Sequence, residues 1–70
     1  MKAIVGKKYR HYKGNKYEVL YIAKHTETEE EMVVYRALLD TEKIWVRPHA
    51  MFEEEVEIEG KMIPRFTLIG

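Results

Sequence analysis

Residues 8–23, which read KYRHYKGNKYEVLYIA, decide the fold of this chain. Two runs rich in aromatic and β-branched residues lie on either side of Gly14-Asn15, and such runs are typical of strands. Glycine tolerates a positive φ and asparagine tolerates the left-handed region, so the dipeptide favours a two-residue hairpin turn. The predicted register has three pairs across this hairpin: Lys13 with Lys16, Tyr12 with Tyr17, and His11 with Glu18.

The rest of the chain continues as short strands between turn signals. The polar residues 25–31 indicate a loop, and the Val33-Val34-Tyr35 run after it favours a strand over a helix because these side chains lose rotamer freedom in helices. Proline has no N–H for a ladder, so Pro48 ends a strand, and Pro64 marks an edge. The predicted elements are strands at 32–39, 44–47, 55–58 and 62–68, and one helical or 3₁₀ turn at 48–52. We therefore predict an all-β fold, a five-stranded SH3-like barrel that forms a single domain over residues 1–70.

Size and composition limit what this domain can be. Its 70 residues contain no cysteine, so the thin core of such a short chain has no disulfide or thiolate metal site to support it, and good packing or self-association as a homo-oligomer must do so. No signal peptide or membrane span is visible, which predicts a cytoplasmic location without membrane contact. Twelve basic and twelve acidic residues cancel, so total charge gives no support to general phosphate binding.

Trp45 and two arginines form the most interesting group. If residues 40–43 are a four-residue connection, Leu38 lies opposite Trp45 and Arg36 lies opposite Arg47. The core face then consists of six residues: Val33, Tyr35, Ala37, Leu39, Ile44 and Val46. Trp45 points away from this core between two guanidinium groups, which suits the recognition of a carboxylate or phosphate. The alternative is that the last strand or Met51-Phe52 covers the indole while the arginines pair with surface glutamates.

Polar residues of two loops complete the predicted ligand-binding set. His11 and Tyr12 precede the hairpin turn, and His25 and Glu27 begin the long loop, where ligands often meet a β scaffold. A histidine beside Glu27 could form a charge-assisted pair or a proton shuttle. The alternative is that these side chains bind loop backbone, as short polar side chains commonly do. The histidines lack metal-ligand spacing, so we predict no metal and no cofactor.

Several blocks of the sequence resemble a known family. They are Tyr9-Arg10-His11-Tyr12-Lys13-Gly14-Asn15, His25-Thr26-Glu27-Thr28, Val33-Val34-Tyr35-Arg36, Trp45-Val46-Arg47-Pro48, Met51-Phe52 and Pro64-Arg65-Phe66. Their order and spacing over residues 6–66 are similar to the uncharacterised bacterial family called domain of unknown function 1653. The family pattern more often has serine at Thr26 and a glycine-containing turn at Asp40-Thr41. The resemblance implies a small stand-alone β domain and brings no established activity.

Three functions follow from these observations, in decreasing order of support. The first is a non-enzymatic binding or adaptor module for a small anionic ligand or a peptide, through the seven residues named above: His11, Tyr12, His25, Glu27, Arg36, Trp45 and Arg47. The second is binding of single-stranded nucleic acid or nucleotides by the basic amino-terminal hairpin, which the acidic later half of the chain disfavours. The third is a hydrolytic enzyme that uses His11 or His25 with Glu27, although no serine or cysteine nucleophile exists.

Overall fold

The computed structural model describes residues 3–70, which form an all-β fold. The elements in chain order are β1 (Lys8–His11), β2 (Lys16–Lys24), β3 (Glu31–Ala37), β4 (Ile44–Pro48), α1 (His49–Phe52), β5 (Glu55–Ile58), β6 (Lys61–Pro64) and β7 (Phe66–Leu68). Within this range no helix has the length and apolar character needed to cross a bilayer.

The strands form two hydrogen-bonded sheets. The larger sheet has the order β4-β3-β2-β1-β7, and β5 pairs with β6 in a separate hairpin. Every pairing is antiparallel, and β7 returns from the end of the chain to place Phe66 opposite His11. The ladders of residues 3–70 do not close, since β4 and β7 are the edges of the larger sheet. The all-β class is therefore confirmed, with seven strands instead of five, and the SH3-like barrel stays a prediction.

The core lies on one face of the five-stranded sheet, which we call the inner face. Six buried side chains form it: Tyr9, Val19, Val33, Tyr35, Phe52 and Phe66. The helical turn α1 forms directly after Pro48, as predicted, and carries Phe52 down onto the sheet. There the Phe52 and Phe66 rings stack with 4.0 Å between their centroids. Four aromatic rings thus compensate for the few aliphatic side chains of a short chain.

The predicted register of the first hairpin is wrong. Arg10, not Lys13, pairs with Lys16. The amide of His11 donates to the Asn15 carbonyl at 2.7 Å, and the amide of Gly14 donates to the His11 carbonyl at 2.7 Å. Gly14 alone takes up the positive φ, at 105°, so the loop has three residues, a known hairpin geometry with a bulge. Tyr12 and Lys13 consequently lie in the loop, and His11 faces the same side as buried Tyr9.

The predicted register of β3 and β4 is also wrong, by three residues. Trp45 pairs with Tyr35 and not with Leu38. The strand β3 ends at Ala37, whose amide donates to the Lys43 carbonyl at 3.1 Å, so the connection is longer than four residues. An odd shift moves every side chain to the other face. Ile44, Val46 and Leu39, which were predicted in the core, are accordingly exposed.

The predicted last strand is broken at Arg65. Pro64 ends β6 and Phe66 begins β7, so the chain leaves one sheet and joins the other at this residue. The Arg65 amide donates to the Glu54 carbonyl at 2.9 Å, and the Arg65 carbonyl accepts from the Tyr12 amide at 2.9 Å. The crossing residue is therefore fixed to the hairpin sheet on one side and to the first hairpin loop on the other.

Candidate functional site

The inner face continues past the core into a group of cationic side chains, which we call the cationic cluster: His11, Lys13, Arg47 and Arg65. His11 is the last residue of β1, Arg47 lies on β4, and Arg65 lies at the crossing between sheets. Two of them contact Phe66, whose ring lies edge-on to His11 at 5.0 Å and 5.8 Å from the Arg47 guanidinium carbon, whereas the Lys13 ammonium lies 5.9 Å from the Tyr12 ring. A buried phenyl ring is thus the floor of a positively charged surface.

The pKa of His11 depends on the burial and the charges of this cluster. Partial burial lowers its pKa from the usual value of 6.5, and the nearby charges of Arg47, Arg65 and Lys13 lower it further. Its Nδ1 accepts the Lys13 amide at 3.2 Å, so the proton of the neutral ring lies on Nε2. The imidazole therefore offers a hydrogen-bond donor without adding a charge near pH 7.

Arg47 provides the cluster's accessible guanidinium group. Its Nε donates to the Tyr35 hydroxyl at 3.3 Å, which holds the half-buried side chain against the core. Among residues 3–70 the ion pairs involve other arginines and a histidine, and none includes Arg47. The planar group is oriented by an aromatic wall and a hydroxyl, and its remaining N–H donors are available to an anion.

Arg65 is a second guanidinium that the sequence alone did not single out. Its terminal nitrogen donates to Glu54 at 3.0 Å, and four fifths of its side chain is buried. The Nε atom is buried and has no hydrogen-bond partner within the described chain. Buried donors are normally satisfied, so this N–H favours an acceptor from outside the chain, such as water or a ligand. The only sequence feature that could have indicated Arg65 is Pro64 before it. A proline that ends a strand gives the following residue a defined position.

Trp45 lies on the inner face at its edge, beside a shallow depression. The residue is 49% exposed and therefore accessible, although it faces the opposite side from the one predicted. The depression has a volume of about 270 Å³ and is lined by Trp45, Tyr17, Ala37, Leu39, Asp40, Lys43, Asn15 and Lys16. Tyr17 joins it to the cationic cluster, because its ring packs edge-on against Phe66 at 6.0 Å. The combined surface has aromatic walls at one side and cations at the other.

The structure brings together only part of the predicted site. His11 and Arg47 meet at the Phe66 ring, and the Tyr12 ring packs on His11 with 4.5 Å between centroids. Trp45 lies on the same face of β4 as Arg47. Arg36 does not join them: it lies on the outer face opposite Ile44 and pairs with Glu18 at 2.9 Å. The prediction of two arginines side by side is wrong for this reason, and the alternative of pairing to a glutamate holds for Arg36.

His25 and Glu27 lie at the opposite end of the β2–β3 hairpin, beyond the pair of Lys24 with Glu31. The His25 Nδ1 accepts the amide of Glu27 at 3.1 Å and the amide of Thr28 at 3.4 Å. The described part of the chain shows no ion pair between the His25 and Glu27 side chains. His25 thus organises its loop backbone, as the alternative interpretation expected, and the pair predicted for proton transfer does not form.

His49, the third histidine, is held between two carboxylates. Its Nδ1 lies 3.0 Å from Glu31 and its Nε2 lies 2.8 Å from Glu53. No group of three or more His, Asp or Glu side chains in residues 3–70 has a metal-binding arrangement. A separate cavity of about 370 Å³ beneath α1 is bounded by Glu53 and Glu55 as well as core rings, so its polar lining is acidic and unsuited to an anion.

Comparisons with known proteins agree with the fold. The family described as "Protein of unknown function (DUF1653)" matches residues 7–68. A crystal structure of a DUF1653 protein from Bordetella bronchiseptica is similar, with a TM-score of 0.83 and 33% sequence identity over 96% of this chain and 88% of that one. None of the curated proteins matches the sequence. The comparisons support the all-β architecture and carry no activity with them.

Proposed function

The chain belongs to the DUF1653 family of proteins of unknown function, and we propose that it is a binding module for a small anionic ligand. One observation carries this proposal. His11 and Arg47 both lie against the Phe66 ring, and the charges of Arg47, Arg65 and Lys13 add to burial in lowering the pKa of His11. Only Arg65 among these cations is paired with a carboxylate in the described chain. Like charges that converge without counter-charges are costly, and an anion between them would relieve the repulsion.

The adjoining depression defines the rest of the ligand. Trp45 and Tyr17 offer aromatic surface next to the cations. Its volume is slightly below that of the usual small-molecule pocket, so it suits one ring or a short aliphatic segment. We therefore favour an anion that carries a planar group over a bare phosphate. A peptide that presents a carboxylate satisfies the same chemistry, and the cytoplasmic location stays part of the prediction.

Chemical-shift mapping tests the proposal. Isotope-labelled protein is titrated with inorganic phosphate, succinate, adenosine and adenosine monophosphate, each to millimolar concentration. We expect shifts at His11, Lys13, Arg65 and Phe66 with the anions, the largest with adenosine monophosphate, and weaker ones with uncharged adenosine. An absence of shifts at these positions for every anion contradicts the proposal.

Matched variants separate the site from general charge. Arg47→Gln removes a guanidinium of the cationic cluster, whereas Arg36→Gln removes one from the outer face. Loss of a good charge-assisted contact weakens binding roughly 10-fold or more. Arg36→Gln is expected to bind as the parent protein does. Equal loss in both variants indicates binding through net charge alone.

Nucleic-acid binding by the amino-terminal hairpin is a second candidate. Arg10 and Lys16 lie directly opposite each other on the outer face, where like charges repel. Two of the five tyrosines are unsuitable for base stacking, since Tyr9 and Tyr35 are buried core residues. A steep fall of oligonucleotide affinity with salt, and its loss in Lys16→Gln but not in Arg47→Gln, would favour this candidate.

A further inference from the structure

The edge strand β4 has features of an interface. It pairs with β3 on one side, and in the described chain no strand pairs with its other side. Three consecutive residues are widely exposed although all are large and apolar: Ile44 by 58%, Trp45 by 49% and Val46 by 60%. An exposed apolar edge is a template for another strand, and proteins usually blunt such edges with charge, proline or short length. The five-residue β4 has Arg47 and Pro48 at its carboxyl end, but its first three residues carry no charge and are open to pairing.

The backbone of β4 shows which groups are free. The Ala37 amide donates to the Lys43 carbonyl, and backbone bonds of an antiparallel pair alternate along the strand. The amide and carbonyl of Trp45 and of Arg47 consequently point toward β3. Those of Ile44 and Val46 point away from the sheet, and the Pro48 carbonyl does so too.

We propose that β4 pairs with β4 of a second copy of this chain, antiparallel and with the two-fold axis at Val46. In this register the Val46 amide of each copy donates to the Val46 carbonyl of the other. The Ile44 amide of each copy donates to the Pro48 carbonyl of the other. Each outward N–H of β4 thus has an acceptor in the second copy. Proline has no N–H, so the ladder ends there and the Ile44 carbonyl that faces it is left to water. The two five-stranded sheets become one continuous sheet.

The side chains are self-complementary in this register. On the outer face Val46 meets Val46 and Ile44 meets Pro48 of the second copy, so apolar surfaces cover each other. On the inner face Trp45 lies opposite Arg47 of the second copy, and a guanidinium over an indole is a favourable pair.

The second copy changes the candidate site because it supplies an arginine to Trp45. Each depression would then hold the indole of one copy and the guanidinium of the other, in addition to its own cationic cluster. A five-residue edge buries less than the ~1,200 Å² of a standard interface, so the dimer is weak and depends on concentration. The inference does not rest on the proposed ligand, and its test uses the protein without one.

Single cysteines test the register, since the chain has none of its own. The axis places the two Val46 Cα atoms roughly 5.5 Å apart, within disulfide range, whereas the two Ile44 Cα atoms are roughly 14 Å apart. In a glutathione redox buffer we expect Val46→Cys to form a disulfide-linked dimer about ten times more readily than Ile44→Cys. Equal cross-linking of the two variants, or none in either, overturns the proposal.

Sedimentation equilibrium measures the association itself. The parent protein is expected to shift from monomer toward dimer as its concentration rises to the millimolar range. Val46→Pro removes the outward N–H at an edge position where proline is tolerated, so it should fold and stay monomeric, whereas Val46→Thr keeps the N–H and should associate. A monomeric parent protein, or dimers of a folded Val46→Pro, overturns the proposal. If Val46→Pro does not fold by circular dichroism, the cysteine pair decides.

Discussion

Replacement of Phe66 by alanine is expected to remove a large part of the domain's stability. The ring is 3% exposed and contacts four other aromatic rings. It stacks on Phe52 at 4.0 Å and packs edge-on against Tyr35 at 5.7 Å and His11 at 5.0 Å. Truncation of a buried phenyl ring costs about 3–5 kcal/mol. A chain of this length has a free energy of unfolding of roughly 4–10 kcal/mol, so the loss approaches half of it.

Urea unfolding measures this loss. With a slope of about 1–1.5 kcal/mol/M for so small a domain, the midpoint for Phe66→Ala should fall by about 2–5 M. Phe66→Leu keeps most of the volume and should lower the free energy of unfolding by about 1.5 kcal/mol or less. Thr67→Ala changes the exposed neighbouring residue and should stay within about 0.5 kcal/mol. A midpoint for Phe66→Ala equal to that of Thr67→Ala would refute the reasoning.

Three further expectations follow from named contacts. The pKa of His11 is lowered in the folded state, so the unfolded chain binds its proton more readily and the free energy of unfolding declines as pH falls through about 6.5. His11→Gln should remove that part of the decline, which urea melts at pH 7.5 and 5.5 measure, and an unchanged pH dependence would contradict the cluster. A Cβ added at Gly14 meets no atom within 4 Å, so the positive φ of 105° is the only unfavourable feature of Gly14→Ala. A loss of about 1–2 kcal/mol in the free energy of unfolding is expected in the same melts. Because the Glu18–Arg36 pair is partly exposed, a double-mutant cycle with glutamine at both positions should give a coupling of about 0.3–1 kcal/mol that disappears in 1 M salt, and a salt-independent value would be inconsistent with an exposed ion pair.

Strand positions were predictable because they depend on local chemistry. The branched and aromatic runs of β2 and β3 and the proline that precedes α1 each act within a few residues. All three elements form near the predicted positions, although β3 ends two residues earlier and α1 begins one residue later than predicted. The helical turn illustrates the point: Pro48 cannot continue a ladder, so the chain turns there whatever lies around it. Family membership was also predictable from the order of the motifs.

Strand register was not predictable in the same way. Leu38 and Leu39 extend the apolar run of β3 in the sequence, but Leu39 is 96% exposed in a loop. The sequence pattern therefore predicts the turn too late along the chain. This error assigns Trp45 and its neighbours on β4 to the wrong face of the sheet. The register error affected the predicted site most, because Arg36 and Arg47 were expected side by side and lie on opposite faces of the sheet. Arg65 was missed because its position depends on a crossing between sheets, which no local pattern specifies.

The pairing of β7 with β1 has a consequence for how the chain folds. Strands β1 to β4 are neighbours in sequence and can assemble by successive short-range steps, whereas the pair of Tyr9 with Leu68 joins opposite ends of the chain. Closing so long a segment is slow, because its entropic cost precedes any favourable contact. Phe66 belongs to this strand. During synthesis the core side chains Tyr9 and Tyr35 therefore stay uncovered by Phe66 until residue 68 has left the ribosome. We expect the chain to be more prone to aggregation during that interval, because the β4 edge and the core rings are both uncovered.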